Sequence, residues 1–302
     1  MTTDTTEVVT VRLEDGRNLE VQTAGIAGGL AVVFHHGTPG ASFAPPDLVA
    51  SATARGLRLV APSRAGYGGS SRDEGRDVAA AARDVASVLD ALGIERFATV
   101  GGSGGGPHAL ACAATLPDRC VAAISVAGVA PYMPDEFDWT EGMGEENVEE
   151  FALSLEGGLA YDEMLETLRA TFLAMTPDAT TTLRDLLGDL VSDVDNESAS
   201  RDDVEYLFDS FARGLAPGIG GWRDDDQAFL RPWGIDVSSI RVPVGIWFGS
   251  QDLMVPERHG EWLAAHVPDA RVRHFVDEGH LSLVLGKVDR LVDDLCELAG
   301  LR

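Results

Sequence analysis

Hydrophobic and polar residues alternate at the start of this chain of 302 residues. The alternation covers 9–13 and 19–22, with Asp15-Gly16 between them, and it predicts a β-hairpin. Short, mainly apolar runs come next, and they predict strands buried on both faces, as in a parallel sheet covered by helices. These runs lie at 30–34, 57–61, 97–100 and 122–126.

Helical patterns separate these apolar runs. In the predicted helix at 77–92 the apolar residues share one face, and Gly93 ends the helix. The alternation of strand and helix stops near residue 131 and resumes after residue 230. The resumed part contains a strand, a helix, a strand and a helix at 242–248, 257–266, 271–276 and about 283–298.

The intervening segment, 132–230, is helical and acidic in pattern. Its candidate helices lie at 145–155, 162–174, 178–191 and 201–213. The chain therefore predicts an α/β core domain formed by 1–131 and 231–302, with a mostly parallel, doubly wound sheet and an N-terminal β-hairpin. Residues 132–230 are predicted to be a helical insertion in that domain.

Acidic residues are concentrated in this insertion. The chain has 49 acidic and 23 basic side chains, a formal charge of −26, and the insertion alone contains 25 acidic side chains and five arginines. So negative a surface argues against nucleic acid as a partner. The acidity is explained by a solvated outer face, or by an insertion that disfavours anionic substrates and binds an amine.

The composition, 45% hydrophobic and 24% charged, is typical of a globular protein. Residues 1–10 lack a basic start and an apolar run, so we expect no secretory signal and a cytoplasmic location. No apolar run approaches the roughly 20 residues of a membrane helix. Cys112, Cys120 and Cys296 lack metal-ligand spacing, and we expect three reduced packing residues with no metal or cofactor.

The strongest candidate for chemistry is the segment 101–105, Gly-Gly-Ser-Gly-Gly, between a predicted strand and a predicted helix. It matches Gly-x-Ser-x-Gly, with Ser103 at the centre of a sharp turn. Gly101 and Gly105 have no Cβ, so strand and helix can approach closely. The sequence therefore predicts Ser103 as a nucleophile. A phosphate-binding loop is disfavoured, because no Gly-Lys-Ser or Gly-Lys-Thr follows.

A second segment, His-His-Gly-Thr-Pro-Gly at 35–40, directly follows a predicted strand. Together with the serine turn, it resembles the α/β-hydrolase superfamily, in particular its esterase-like serine hydrolases. The resemblance implies that the backbone N–H groups of Thr38 and Gly104 form an oxyanion hole. It also implies supporting roles for Gly37 and for His36, a structural histidine that hydrogen-bonds the loop.

Two later segments complete the resemblance. Residues 249–256, Gly-Ser-Gln-Asp-Leu-Met-Val-Pro, are similar to the family's acid segment, and the Gly-His that ends at His280 is similar to its histidine segment. The family order of serine, acid and histidine implies that His280 is the base and that Asp252 orients it. Asp277 and Glu278 are rival acids, although a residue so close on the same loop seldom reaches behind the imidazole.

In this superfamily a helical insertion caps the nucleophile, and the resemblance places such a cap at 132–230. Residues on its underside would line a pocket for a small-molecule substrate. The aromatic and methionine candidates are Phe137, Trp139, Phe151, Phe172, Met175, Phe208, Phe211 and Trp222. The serine turn at 101–105 also resembles that of proline iminopeptidases, whose caps hold a free N-terminus with acids. However, residues 37–40 lack the Gly-Gly-Pro-Gly of those enzymes.

These observations predict a serine hydrolase that cleaves a small neutral ester, thioester or lactone through an acyl-Ser103 intermediate. A proline iminopeptidase-like aminopeptidase is the second hypothesis, and the same scaffold also serves C–C bond hydrolases and perhydrolases. A hypothesis of another class is a protein that binds a small ligand without turnover. Dehalogenases and epoxide hydrolases are disfavoured, because they need a carboxylate in place of the Ser103 hydroxyl.

Overall fold

The computed structural model describes residues 6–176 and 178–301. Within these ranges, eight strands form one sheet in the order β1-β2-β4-β3-β5-β6-β7-β8. The strands are β1 (Glu7–Arg12), β2 (Asn18–Gly25), β3 (Ala31–His35), β4 (Arg58–Pro62), β5 (Phe97–Gly102), β6 (Cys120–Val126), β7 (Val244–Gly249) and β8 (Arg271–Phe275). Each coincides with a predicted strand to within a few residues.

Most of the sheet is parallel. β2 pairs antiparallel with β1 and with β4, while the pairs from β4 through β3, β5, β6 and β7 to β8 are parallel. The central strands β3 and β5 are buried along their whole length, which accounts for their mainly apolar sequences. The predicted fold class, a mostly parallel α/β sheet with an N-terminal hairpin, is confirmed.

Helices cover both faces of the sheet and bury two apolar clusters. On one face lie α2 (Ala80–Ala91), α3 (Gly106–Thr115) and α10 (Glu257–His266), and on the other lie α1 (Pro46–Ala54) and α12 (Val288–Leu298). α11 (Leu281–Val284) precedes α12. In the part of the chain that the structure describes, no helix is both long and apolar enough to cross a membrane.

The segment between β6 and β7 is helical. Its helices are α4 (Glu145–Glu156), α5 (Leu159–Ala174), α6 (Leu183–Leu187), α7 (Asp193–Ser198), α8 (Arg201–Leu215) and α9 (Gly220–Phe229). The prediction of one continuous helix at 178–191 was wrong. Thr182 and Asp185 form a capping box that starts α6, and Gly188, with a φ of 57°, ends it. α9 was not predicted.

Candidate active site

Ser103 lies directly after β5, at the turn that leads into α3. Its φ of 54° falls in the left-handed region, which is strained for a residue with a side chain. A Cβ on Gly101 would collide with the Gly105 carbonyl, and a Cβ on Gly105 would collide with the His35 carbonyl. Both positions therefore require glycine, and the close packing of strand and helix leaves Ser103 at the tip of the turn.

His280 and Asp252 follow the neighbouring strands β8 and β7. The imidazole Nδ1 lies 2.8 Å from Asp252 Oδ2, and both side chains are buried. Asp252 Oδ1 accepts hydrogen bonds from the backbone N–H groups of Met254 (2.9 Å) and Val255 (2.7 Å), which fix the carboxylate. With Nδ1–H donated to Asp252, Nε2 of His280 is the nitrogen able to accept a proton.

The pKa of His280 is raised above its ordinary value. Burial alone would lower it, since an apolar environment disfavours the imidazolium, but the charge of Asp252 and its hydrogen bond outweigh that effect. The rival acids lie elsewhere: Glu278 pairs with the Lys287 ammonium at 2.5 Å, and Asp277 is exposed. Asp252 is thus the carboxylate that contacts the imidazole.

Ser103 and His280 both line one cavity of about 330 Å³. The cavity lies between the carboxyl ends of the parallel strands and the helices inserted between β6 and β7. Among residues 6–176 and 178–301, no hydrogen bond joins the Ser103 hydroxyl to His280. The structure therefore brings Ser103 and His280 to one wall without a hydrogen bond between them, an arrangement that is common before substrate binds.

The cavity wall is mainly apolar and, within the described ranges, contains no arginine or lysine. Four of the eight lining candidates from the sequence contribute to it, namely Phe151, Phe172, Phe211 and Trp222. The other four lie outside the wall, namely Phe137, Trp139, Met175 and Phe208. Trp139, for example, packs in the main core and donates its indole N–H to the Ala130 carbonyl at 2.8 Å.

Thr38 and Gly104 are neighbours on the cavity wall beside Ser103. A Cβ on Gly104 would collide with the Thr38 side chain, so that side chain lies directly against the Gly104 backbone. The Thr38 hydroxyl donates to Asp225 Oδ2 at 2.7 Å and accepts from Arg64 Nη2 at 2.9 Å. The buried ion pair of Asp225 and Arg64 thus fixes the loop at Thr38.

Asp225, on α9, is the centre of an ionic group and is completely buried. Arg64 Nη2 lies 2.6 Å and Arg76 Nη2 lies 2.7 Å from its oxygens, and the Tyr67 hydroxyl donates to it at 2.9 Å. Burial alone would raise the pKa of Asp225, but the two arginines hold it well below its usual range. The inserted segment is therefore tied to residues that follow β4 by a buried ion-pair network.

Glu150 and Asp226 form a second acidic group, and both line the cavity. The two carboxyl groups hydrogen-bond to each other. Trp222 Nε1 donates to Glu150 at 2.6 Å, and the Tyr161 hydroxyl donates to Asp226 at 2.5 Å. Burial raises the pKa of both acids, and the nearby Glu150 carboxyl raises that of Asp226 further. Each of these two acids therefore favours its protonated form more than an exposed carboxyl group does.

His36 links two loops behind the site. Its Nδ1 lies 2.7 Å from the Gly37 carbonyl oxygen, and its Nε2 accepts from the Arg64 backbone N–H at 3.0 Å. Burial and the Arg64 charge lower the pKa of His36, so its ring is neutral. Gly37 lies next to Ser103, and its carbonyl also accepts from the Arg64 guanidinium at 2.8 Å.

Metal-binding potential is absent from the part of the chain that the structure describes, where no group of three or more His, Cys, Asp or Glu side chains is placed to hold an ion. Cys112, Cys120 and Cys296 are all buried. Burial raises the pKa of the Cys120 thiol to about 12, which leaves it protonated.

Sequence reasoning missed the acids and bases that join the insertion to the sheet and that face the cavity. They are Arg64, Arg76, Glu150, Asp225 and Asp226. One sequence pattern indicates part of this set, namely the three consecutive acids at 224–226 on a helix. Side chains at consecutive helical positions do not share one face, so they cannot all face solvent when the helix is packed on both sides.

Comparisons with known proteins show the family to which the chain belongs. Residues 31–287 match the family model described as alpha/beta hydrolase fold. The chain is 30% identical over 279 residues to a 2-hydroxy-6-oxononadienedioate/2-hydroxy-6-oxononatrienedioate hydrolase of Paraburkholderia phymatum, covering 89% of this chain and 87% of that protein. It is 33% identical over 148 residues to a non-heme chloroperoxidase of Streptomyces lividans, covering 48% of this chain and 54% of that protein.

Among solved structures, an esterase from a Rhodococcus species aligns with a TM-score of 0.68 and 20% identity, over 96% of this chain and 99% of that one. At that identity the likeness concerns the fold alone. Together with the match over 31–287, it confirms the resemblance drawn from the sequence motifs. The chain belongs to the alpha/beta hydrolase fold family.

Proposed function

We propose that the protein is a serine hydrolase that cleaves a small neutral ester, thioester or lactone. The observation that carries the proposal is the convergence of three groups at one sheet edge: Ser103 at a strained turn, His280 on the same cavity wall, and Asp252 at 2.8 Å from His280. A serine hydroxyl is a weak nucleophile at neutral pH, and this trio supplies the base that activates it.

The reaction would follow from the division of labour among these groups. His280 Nε2 takes the proton of Ser103 as the hydroxyl oxygen attacks the substrate carbonyl carbon, and the proton then passes to the leaving group. Asp252 stabilises the imidazolium and fixes the tautomer. His280 then takes a proton from water as its oxygen attacks the acyl carbon, the bond between that carbon and Ser103 Oγ breaks, and His280 returns the proton to Oγ as the acid is released.

The negative oxygen of the tetrahedral intermediate would be held by the backbone N–H groups of Thr38 and Gly104. The contact between the Thr38 side chain and the Gly104 backbone, beside Ser103, supports this role. Losing one such donor typically costs about 3 kcal/mol of transition-state stabilisation. The Thr38 hydroxyl is occupied by Asp225 and Arg64, so its contribution would be to fix the backbone.

A neutral substrate fits the cavity best. The wall has no arginine or lysine in the described ranges, and it contains the acid pair Glu150 and Asp226. The name of the Paraburkholderia relative describes a hydrolase of a dicarboxylate, and two carboxylates would meet no cation here.

We further propose that 132–230 acts as a cap over a core of 1–131 and 231–302, because its helices supply most of the aromatic side chains on the wall.

The test is hydrolysis of 4-nitrophenyl acetate and butyrate by the wild type and by Ser103→Ala. We expect the substitution to lower kcat by at least roughly 10⁴-fold, because it removes the nucleophile. Ser87→Ala, on α2, is the matched control and should retain wild-type activity. A folded wild type without activity on any short ester, or a fully active Ser103→Ala, would contradict the proposal.

The acid pair favours a second candidate, a proline iminopeptidase-like aminopeptidase. Glu150 and Asp226 both line the cavity, and a carboxylate of this pair would bind the free ammonium of an N-terminal residue. Proline 4-nitroanilide measured beside 4-nitrophenyl acetate separates the two candidates. A larger kcat/KM for the anilide, lost in Glu150→Gln, would put the peptidase first. A protein that binds these compounds without turnover would support the non-catalytic hypothesis.

A further inference from the structure

Asp195 lies on α7, within the segment inserted between β6 and β7, and it is completely buried. The Ser192 hydroxyl donates to its Oδ2 at 2.8 Å and accepts from the Asp195 backbone N–H at 3.3 Å. These contacts orient the carboxylate. A buried carboxylate needs further partners, and those of Asp195 come from a different part of the chain.

The partners are backbone N–H groups of the loop that carries His280. Asp195 Oδ2 accepts from His280 N at 3.1 Å, and Oδ1 accepts from Ser282 N at 2.7 Å. The Ser282 hydroxyl in turn accepts from Gly279 N at 2.9 Å. A Cβ on Gly279 would collide with the side chains of Ser192 and Asp195, so the loop lies directly against the inserted segment.

Two carboxylates therefore contact different groups of His280. Asp252 contacts its imidazole, and Asp195 contacts its backbone. Both negative charges favour the imidazolium and raise the pKa of His280 against the effect of burial. The other acid close in sequence, Glu278, is paired with the Lys287 ammonium, and Asp277 is exposed to solvent. The Ser103 hydroxyl lies on the same cavity wall and is uncharged.

We propose that Asp195 is a positioning residue for His280: it fixes the histidine loop from the inserted segment and so aligns the imidazole with Ser103. The proposal rests on the proposed function, since it assigns His280 the role of base. Without Asp195 two backbone N–H groups beside His280 would be buried and unpaired, and the loop would have to move to satisfy them. Docking of the inserted segment thereby becomes part of the catalytic arrangement.

The primary test is Asp195→Asn, which keeps the shape and one acceptor oxygen but places an amide N–H against a backbone N–H. We expect kcat on 4-nitrophenyl butyrate to fall roughly 10- to 100-fold with little change in KM, because the base is displaced while the cavity is intact. Glu197→Gln, exposed on the same helix, is the matched control and should stay within about twofold of wild type. Thermal unfolding reports whether each variant is folded.

The milder variant Ser192→Ala keeps the test open where Asp195→Asn does not fold. It removes only the hydroxyl that orients the carboxylate, and we expect a loss of kcat of roughly 2- to 10-fold, the effect of one hydrogen bond. Unchanged kcat in both folded variants would overturn the proposal.

A second readout separates positioning from simple support of the fold. The pKa of His280, followed by NMR of ¹⁵N-histidine-labelled protein, should be lower in Asp195→Asn than in wild type, because one of two negative charges is gone. The acid limb of kcat/KM should move to lower pH by the same amount. A merely structural role would lower the melting temperature and leave both pKa values unchanged, which would overturn the proposal.

The NMR measurement does not need turnover. If wild type hydrolyses no ester, the proposed function fails, while the His280 pKa in Asp195→Asn still decides whether Asp195 acts on the histidine. If wild type is active and the variant equals it in kcat and in pKa, the function stands and the Asp195 proposal fails.

Discussion

Asp225 and Asp226 are adjacent on α9 and equally buried, yet their electrostatic surroundings are opposite. Asp225 lies between Arg64 and Arg76, whereas Asp226 hydrogen-bonds to another carboxyl group, Glu150. Burial alone would raise the pKa of both acids. The arginines hold that of Asp225 well below its usual range, and Glu150 adds to the rise for Asp226.

The difference separates two roles for the acidity of the inserted segment. Asp225 is a compensated charge that docks α9 against the residues following β4. Asp226 faces the cavity without a neutralising cation in the described part of the chain, and with Glu150 it sets the polarity of the wall. The segment's acidity is therefore not one property of a solvated surface, since at least these two groups are internal and act differently.

The largest effect is expected from Asp225→Asn. The substitution leaves Arg64 and Arg76 buried without their counter-charge, and we expect a loss of about 3–5 kcal/mol in the free energy of unfolding, measured in urea at pH 7. Because the folded pKa of Asp225 lies below the unfolded value of 3.8, its stabilisation is present above that value and is lost as the pH falls toward the folded pKa. The difference from wild type should shrink in strong acid.

Asp209→Asn, exposed on α8, removes the same charge from the inserted segment and is the control for this experiment. It should change the free energy of unfolding by no more than about 0.5 kcal/mol. Equal losses in Asp225→Asn and Asp209→Asn would show that the ion-pair network does not anchor the segment.

A smaller effect of opposite trend is expected from Asp226→Asn. Its folded pKa is raised, so the folded protein binds a proton that the unfolded chain has lost, and wild-type stability falls as the pH rises from 3.8 through the folded pKa. Each unit of that rise corresponds to about 1.4 kcal/mol. The variant lacks this loss, so unfolding in urea should show it gaining on wild type as the pH rises above 3.8.

The same pH series can contradict this expectation. A constant difference between Asp226→Asn and wild type across the series would mean that the pKa of Asp226 is not raised in the folded protein. It would also remove the physical reason for treating the two adjacent aspartates as different.

The parts of the fold that depend on residue pattern were predictable. Buried parallel strands have mainly apolar sequences, and glycine is required at 101 and 105 because the backbones touch, so both left a mark in the sequence. These features follow local rules, which can be inferred without coordinates. The pairing of His280 with Asp252 was implied by the resemblance to the α/β-hydrolase superfamily and its order of serine, acid and histidine.

The contacts made by the inserted segment were not predictable in the same way. Asp195, Asp225 and Asp226 are acidic residues in an acidic stretch, and apart from the run of three acids at 224–226 nothing local distinguishes them from exposed neighbours such as Asp209. Their burial depends on partners that are distant along the chain, among them Arg64. The error at 178–191 had a local cause, the capping box at Thr182 and the left-handed Gly188, which outweighed the helical pattern.

In the proposed reaction, His280 activates Ser103, which then forms a covalent acyl intermediate. The most direct test is to treat the native protein with a fluorophosphonate and to map the adduct by peptide mass spectrometry, with Ser103→Ala and His280→Ala alongside. We expect one adduct, on Ser103. It should be absent from Ser103→Ala, and it should form much more slowly in His280→Ala. A folded wild type that stays unlabelled, or is labelled on a different serine, would contradict it.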